Sequence, residues 1–183
     1  MLPITIPATE KFDATTEEFI ILSDPKTIQL EHSLISVSKW EQIYKQPFMT
    51  TELKGKMFTD YVKCMTIGQP LDDYIYDFLT PKNKKEIVDY IQDSATATWI
   101  SEDVKKKNKS KRHEIITSEL IYYWMISLQI PKEMEKWHLN RLLTLIEVCN
   151  VKNTPPEKMS KKDLYARNRE LNKARKAKLH SKG

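Results

Sequence analysis

The spacing of apolar positions changes along the chain. Residues 2–6 (Leu-Pro-Ile-Thr-Ile) and 18–22 (Glu-Phe-Ile-Ile-Leu) are short β-prone runs separated by a polar loop that contains Asp13. They predict a hairpin or two adjacent strands. Between 27 and 37 the apolar positions Ile28, Leu30, Leu34, Ile35 and Val37 fit either a strand or a helix, with strand favoured at the start. The stretch 38–44 can continue in either form until Pro47 stops it.

From there the spacing settles on three and four. Leu53, Met57, Phe58, Tyr61, Val62 and Met65 make one stripe of a helix that Thr50 or Thr51 can cap, and Gly68-Gln69-Pro70 ends it. A short helix is expected over 71–78. Another begins at Thr80-Pro81, because threonine can accept an orphan N–H and proline suits the first helical position. Residues 94–112 lack periodicity and hold the charged run Lys105 to Arg112, and 102–112 reads as an exposed, mobile loop. Two long helices follow, over about 114–129 and 132–150, separated at Pro131. The first is apolar on most faces and therefore expected to be buried on most faces. Asn153-Thr154-Pro155-Pro156 is a linker. Ser160-Lys161-Lys162-Asp163 resembles a capping box that opens a last helix reaching about residue 179.

The expected architecture is mainly α (α+β): a helical bundle with a small N-terminal β-hairpin or sheet and a basic C-terminal helix. Its division is a globular domain over 1–152 and a proline linker with a basic helical tail over 153–183. Charge supports that division. The 183-residue chain carries +5 overall, yet residues 157–183 hold ten Lys/Arg against three acids, which leaves −2 for the rest. The last helix has few large apolar residues, so its stability is marginal without a partner. The candidate partner-binding residues are Leu164, Tyr165, Arg167, Leu171 and Arg175. The cations can meet nucleic-acid phosphates or an acidic protein, or remain solvated. With Tyr165 alone interleaved among them, base stacking has little support.

Catalytic chemistry finds few candidates. His32, His113, His138 and His180 lack metal-ligand spacing, and Cys64 and Cys149 do not form a zinc motif. The two cysteines read as buried, reduced thiols, since no secretory signal supports a disulfide between them. Three glycines cannot build a phosphate-cradling loop. The expectation is a non-enzymatic protein with no cofactor, no metal and no membrane span. The stretch 136–143 combines Trp137, His138, Asn140 and Arg141 on one helix and reads most simply as a core helix whose polar residues face out or cap neighbours.

Several segments carry a resemblance. They are Ile4 and Pro7-Ala8-Thr9 with Phe12-Asp13; Leu30-Glu31-His32-Ser33-Leu34 with Ser38-Lys39-Trp40-Glu41; and Tyr61 with Lys63-Cys64-Met65-Thr66. Further segments are 119–125, 137–143 and Asn153-Thr154-Pro155-Pro156 leading into Lys158-Met159-Ser160. Together they resemble small proteins of long-tailed, siphovirus-like bacteriophages, a group associated with tail-assembly chaperones. The resemblance implies a protein of the host cytoplasm that binds the tape-measure protein, or other tail proteins, during virion morphogenesis. It supplies no catalytic residues. The alternatives are a structural virion protein, for head–tail joining or tail completion, and a nucleic-acid-binding packaging or regulatory protein.

Overall fold

Ile4 and Ile6 on one strand, and Ile28 and Leu30 on another, all point into the core. The computed structural model describes residues 1–13, 18–68, 71–98, 115–154 and 161–179, and the side chains of 9–23, 161–164 and 177 lie outside that description. Strand β1 (Leu2–Ile6) pairs antiparallel with β4 (Lys26–Leu30), in a register that sets Ile4 opposite Ile28. A two-residue strand, β5 (Thr66–Ile67), completes a three-stranded sheet of order β1-β4-β5. The hairpin expected from 2–6 and 18–22 does not form. Strand β3 (Glu18–Ser23) pairs instead with β2 (Thr9–Asp13), a segment expected to be loop, in a separate two-stranded sheet. The alternating faces of β1 and β4 match each other, and that match outweighs proximity in sequence.

Helix α1 (Leu34–Tyr44) starts at Ser33, whose side chain accepts from the Ser36 N–H. It resolves the ambiguous 34–44 stretch as helix and buries Leu34, Val37 and Trp40. Helix α2 (Lys56–Met65) presents Tyr61, Val62 and Met65 to the same core. Its start is not Thr50 or Thr51, which lie in or beside a short 3-10 turn, Phe48–Thr50. Gly55 precedes the helix at φ 51, ψ −123, a conformation open to glycine and strained for any side chain. The short helix expected over 71–78 is a 3-10 helix, Asp73–Phe78. Helix α3 (Pro81–Gln92) begins at Thr80, whose hydroxyl accepts from the Asn83 N–H at 3.1 Å. The expected loop 102–112 lies outside the described residues.

Helix α4 (Ser118–Ser127) is shorter than its apolar pattern suggested, and it is not buried all round. Ile121 and Met125 are buried, whereas Tyr123 and Ile126 face solvent. The helix expected over 132–150 is two elements: a 3-10 helix, Lys132–Lys136, and α5 (Leu139–Asn153). The break is at His138, which forms a β-bridge with Ser33, while the Leu139 N–H donates to the His32 carbonyl at 2.7 Å. Pairing with the segment before α1 satisfies backbone groups that a continuous helix would have satisfied internally. Both cysteines are free and half-buried, where full burial was expected.

The chain divides into two compact units, Met1–Val151 and Lys152–Gly183. The first is mainly helical around the small antiparallel sheet. In the second, α6 (Lys161–Leu179) is built mostly from Lys, Arg, Leu, Ala and Glu, all good helix formers, with Asp163, Tyr165, Asn168 and Asn172 as the weaker ones. Among the described residues, no helix is long and apolar enough to cross a membrane.

Candidate partner-binding surface and a buried polar cluster

Helix α6 carries every residue singled out for partner binding. Its side chains from 165 to 176 are exposed, and Tyr165, Leu171 and Leu179 are 73%, 45% and 74% exposed. Arg167 and Arg175 are exposed as well, while the Leu164 side chain lies outside the described set. The apolar anchors do not form one stripe. Tyr165 and Leu171 are six residues apart, which at 3.6 residues per turn separates them by about 120° round the axis. Leu179 falls between them, and Arg175 lies one turn from both Leu171 and Leu179. Tyr165 also walls a shallow furrow of about 500 Å³ with Asn168, Arg169, Asn172, Lys173 and Lys176. The result is a broad, sparsely apolar, cation-edged face.

The histidines did not signal their role in the sequence. His32 and His138, 106 positions apart in the chain, are both buried, with ring centroids 5.0 Å apart in an edge-on arrangement. The Tyr61 hydroxyl is hydrogen-bonded to His32 Nδ1. Burial raises the Tyr61 pKa well above its ordinary value, so the phenol keeps its proton. Burial first, then the nearby His138 imidazole, lowers the His32 pKa from 6.5 to about 3. His138 Nε2 lies 2.9 Å from the Tyr90 carbonyl. A carbonyl only accepts, so Nε2 carries a proton, and Nδ1 is buried without a hydrogen-bond partner. The Tyr90 hydroxyl donates to Glu31 at 2.8 Å, and the Met1 amine lies 2.9 Å from the other oxygen of the same carboxylate. The two rings, packed among aromatic side chains, tie the segment before α1 to the start of α5 and the end of α3.

Neighbouring residues extend that tie. Asn140 donates to the carbonyls of Ile91 and Asp93 at 3.0 and 2.7 Å, covering the C-terminal end of α3. The Arg141 guanidinium sits 4.1 Å from the Trp137 ring centroid. The distinctive 136–143 stretch is thus spent on packing and capping. Trp40, fully buried, stacks on Tyr44 at 4.8 Å and donates from Nε1 to the Met57 carbonyl at 3.1 Å. The buried Glu41 carboxylate accepts from two backbone donors, Phe48 N–H at 2.8 Å and Ser118 N–H at 2.7 Å.

A groove of about 410 Å³ runs beside β5 and α1, lined by Ile35, Lys39, Cys64, Met65 and Ile67 among others. Burial raises the Cys64 pKa, which leaves its thiol protonated and a poor nucleophile at neutral pH. No group of three or more His, Cys, Asp or Glu able to hold a metal ion occurs among the described residues. Comparison of the chain with protein-family models, with curated proteins and with solved structures gives no match.

Proposed function

We propose that the protein is a non-enzymatic tail-assembly chaperone of a long-tailed bacteriophage, acting in the host cytoplasm and holding the tape-measure protein during tail morphogenesis. The observation that carries this reading is α6, a helix with Tyr165, Leu171 and Leu179 exposed. Isolated helices of this length gain little from propensity alone, and large apolar side chains on them gain most by meeting a partner. The body supports the reading by spending its distinctive residues on its own packing: Trp40, His32, His138 and Asn140 all serve the core. The resemblance to phage tail-assembly proteins supplies the kind of partner.

The test compares purified virions with lysate of cells infected by the parent phage, using mass spectrometry. The chaperone reading expects abundance in lysate, absence from virions, and co-purification with the tape-measure protein. Stoichiometric presence in virions overturns it and makes the protein a head–tail joining or tail-completion component.

A further inference from the structure

We infer that α6 recognises an acidic amphipathic helix, one with an apolar strip bordered by carboxylates. The inference rests on the reading of α6 as the partner-binding element and adds the chemistry of what it binds. Leu171, Arg175 and Leu179 follow one another at intervals of four, so they form a row along the helix, with Tyr165 at its far edge. Cations border this face on both sides. Arg167 and Lys178 lie beyond Leu171, and Arg169 and Lys176 lie beyond Tyr165. Glu170 falls outside the face. A partner therefore has to cover two leucines and a tyrosine and answer positive charge at Arg175 in the centre and at Lys178, Arg169 and Lys176 along the borders. Carboxylates at the edges of an apolar helical strip do both, and arginine binds carboxylates in paired hydrogen bonds. Nucleic acid fits less well. Phosphates give Leu171 and Leu179 no apolar cover, and the described face offers Tyr165 as its single aromatic ring.

The test uses the full chain and three fluorescent probes: a synthetic helical peptide with a leucine strip bordered by glutamates, the same strip bordered by lysines, and a DNA duplex. The glutamate-bordered peptide is expected to bind, and to bind less tightly as salt is raised. Combined Arg167→Glu, Arg175→Glu and Lys178→Glu is expected to weaken that binding about tenfold or more. Leu171→Ala with Leu179→Ala is expected to weaken it by a similar factor. The neutral set Arg167→Gln, Arg175→Gln and Lys178→Gln serves if charge reversal disturbs the helix by circular dichroism, and is expected to weaken binding in the same direction. Equal binding of the lysine-bordered peptide, or tighter binding of the duplex, overturns the inference. Co-purification of the tape-measure protein separates the two claims. If it persists undiminished in the charge-reversed variant, the acidic-partner inference falls and the chaperone reading stands. If the native chain fails to retain the tape-measure protein yet binds the glutamate-bordered peptide, the chaperone reading falls and the inference stands.

Discussion

The unit Met1–Val151 and the unit Lys152–Gly183 solve opposite problems. In the first, apolar side chains from β1, β4 and helices α1 to α5 meet in one core, and polar groups such as His32, Glu41 and Asn83 are buried with hydrogen-bond partners. In the second, the side chains described from 165 onward are exposed. The body is held by what it buries, whereas α6 is held by its own backbone hydrogen bonds and helix-forming composition.

Trp40→Ala breaks the comparison from the body's side with the largest effect. It empties a fully buried site, removes the stack on Tyr44 and removes the indole donor to the Met57 carbonyl. The expected loss is about 3–5 kcal/mol in denaturant unfolding. A loss under about 1 kcal/mol would show that the core is not organised around this ring.

Acid gives a second, somewhat smaller effect. His32 is held neutral in the fold, with its pKa lowered from 6.5 to about 3. Below pH 6.5 the unfolded chain takes up a proton that the folded chain refuses, so stability is complete above that value and falls as pH drops towards about 3. The total is on the order of a few kcal/mol. The portion lost above about pH 5, before carboxylates titrate, is the diagnostic one. Urea midpoints measured across that window should decline in the native chain and stay flat in His32→Gln, relative to that variant's own midpoint at neutral pH.

The smallest effect sharpens the comparison from the other side. Leu171→Ala is expected to shift the unfolding midpoint of the body by less than about 0.5 kcal/mol, because the side chain is 45% exposed on the separate unit. A shift comparable with that of Trp40→Ala would mean that α6 belongs to the body's cooperative fold.

The sequence made some of this legible and hid the rest for identifiable reasons. Helix α2 could be read from its stripe, and α3 from Thr80-Pro81, because periodicity and capping are local signals. The start of α2 could not, since Gly55 in an unusual backbone conformation displaced two threonines that were better caps by composition. Pairing of β1 with β4 across the intervening residues 7–25, and the break before α5, depend on partners distant in the chain. The same holds for His32 and His138, which each look unremarkable until the fold sets their rings side by side. On α6 the candidate residues were correctly assigned to a helix, but the wide separation of Tyr165 and Leu171 round its axis emerges only when spacing is converted to angle.

The bond from Leu139 N–H to the His32 carbonyl has a consequence for the order in which the protein can be finished on the ribosome. The segment entering α1 lacks that donor, and the core lacks Leu139, Leu142 and Ile146, until the chain has been synthesised past those residues. The N-terminal sheet and α1 must therefore wait, incompletely covered, until α5 has been made. Helix α6 follows α5 in the chain, so it is made only after Leu139, Leu142 and Ile146 are available to the core.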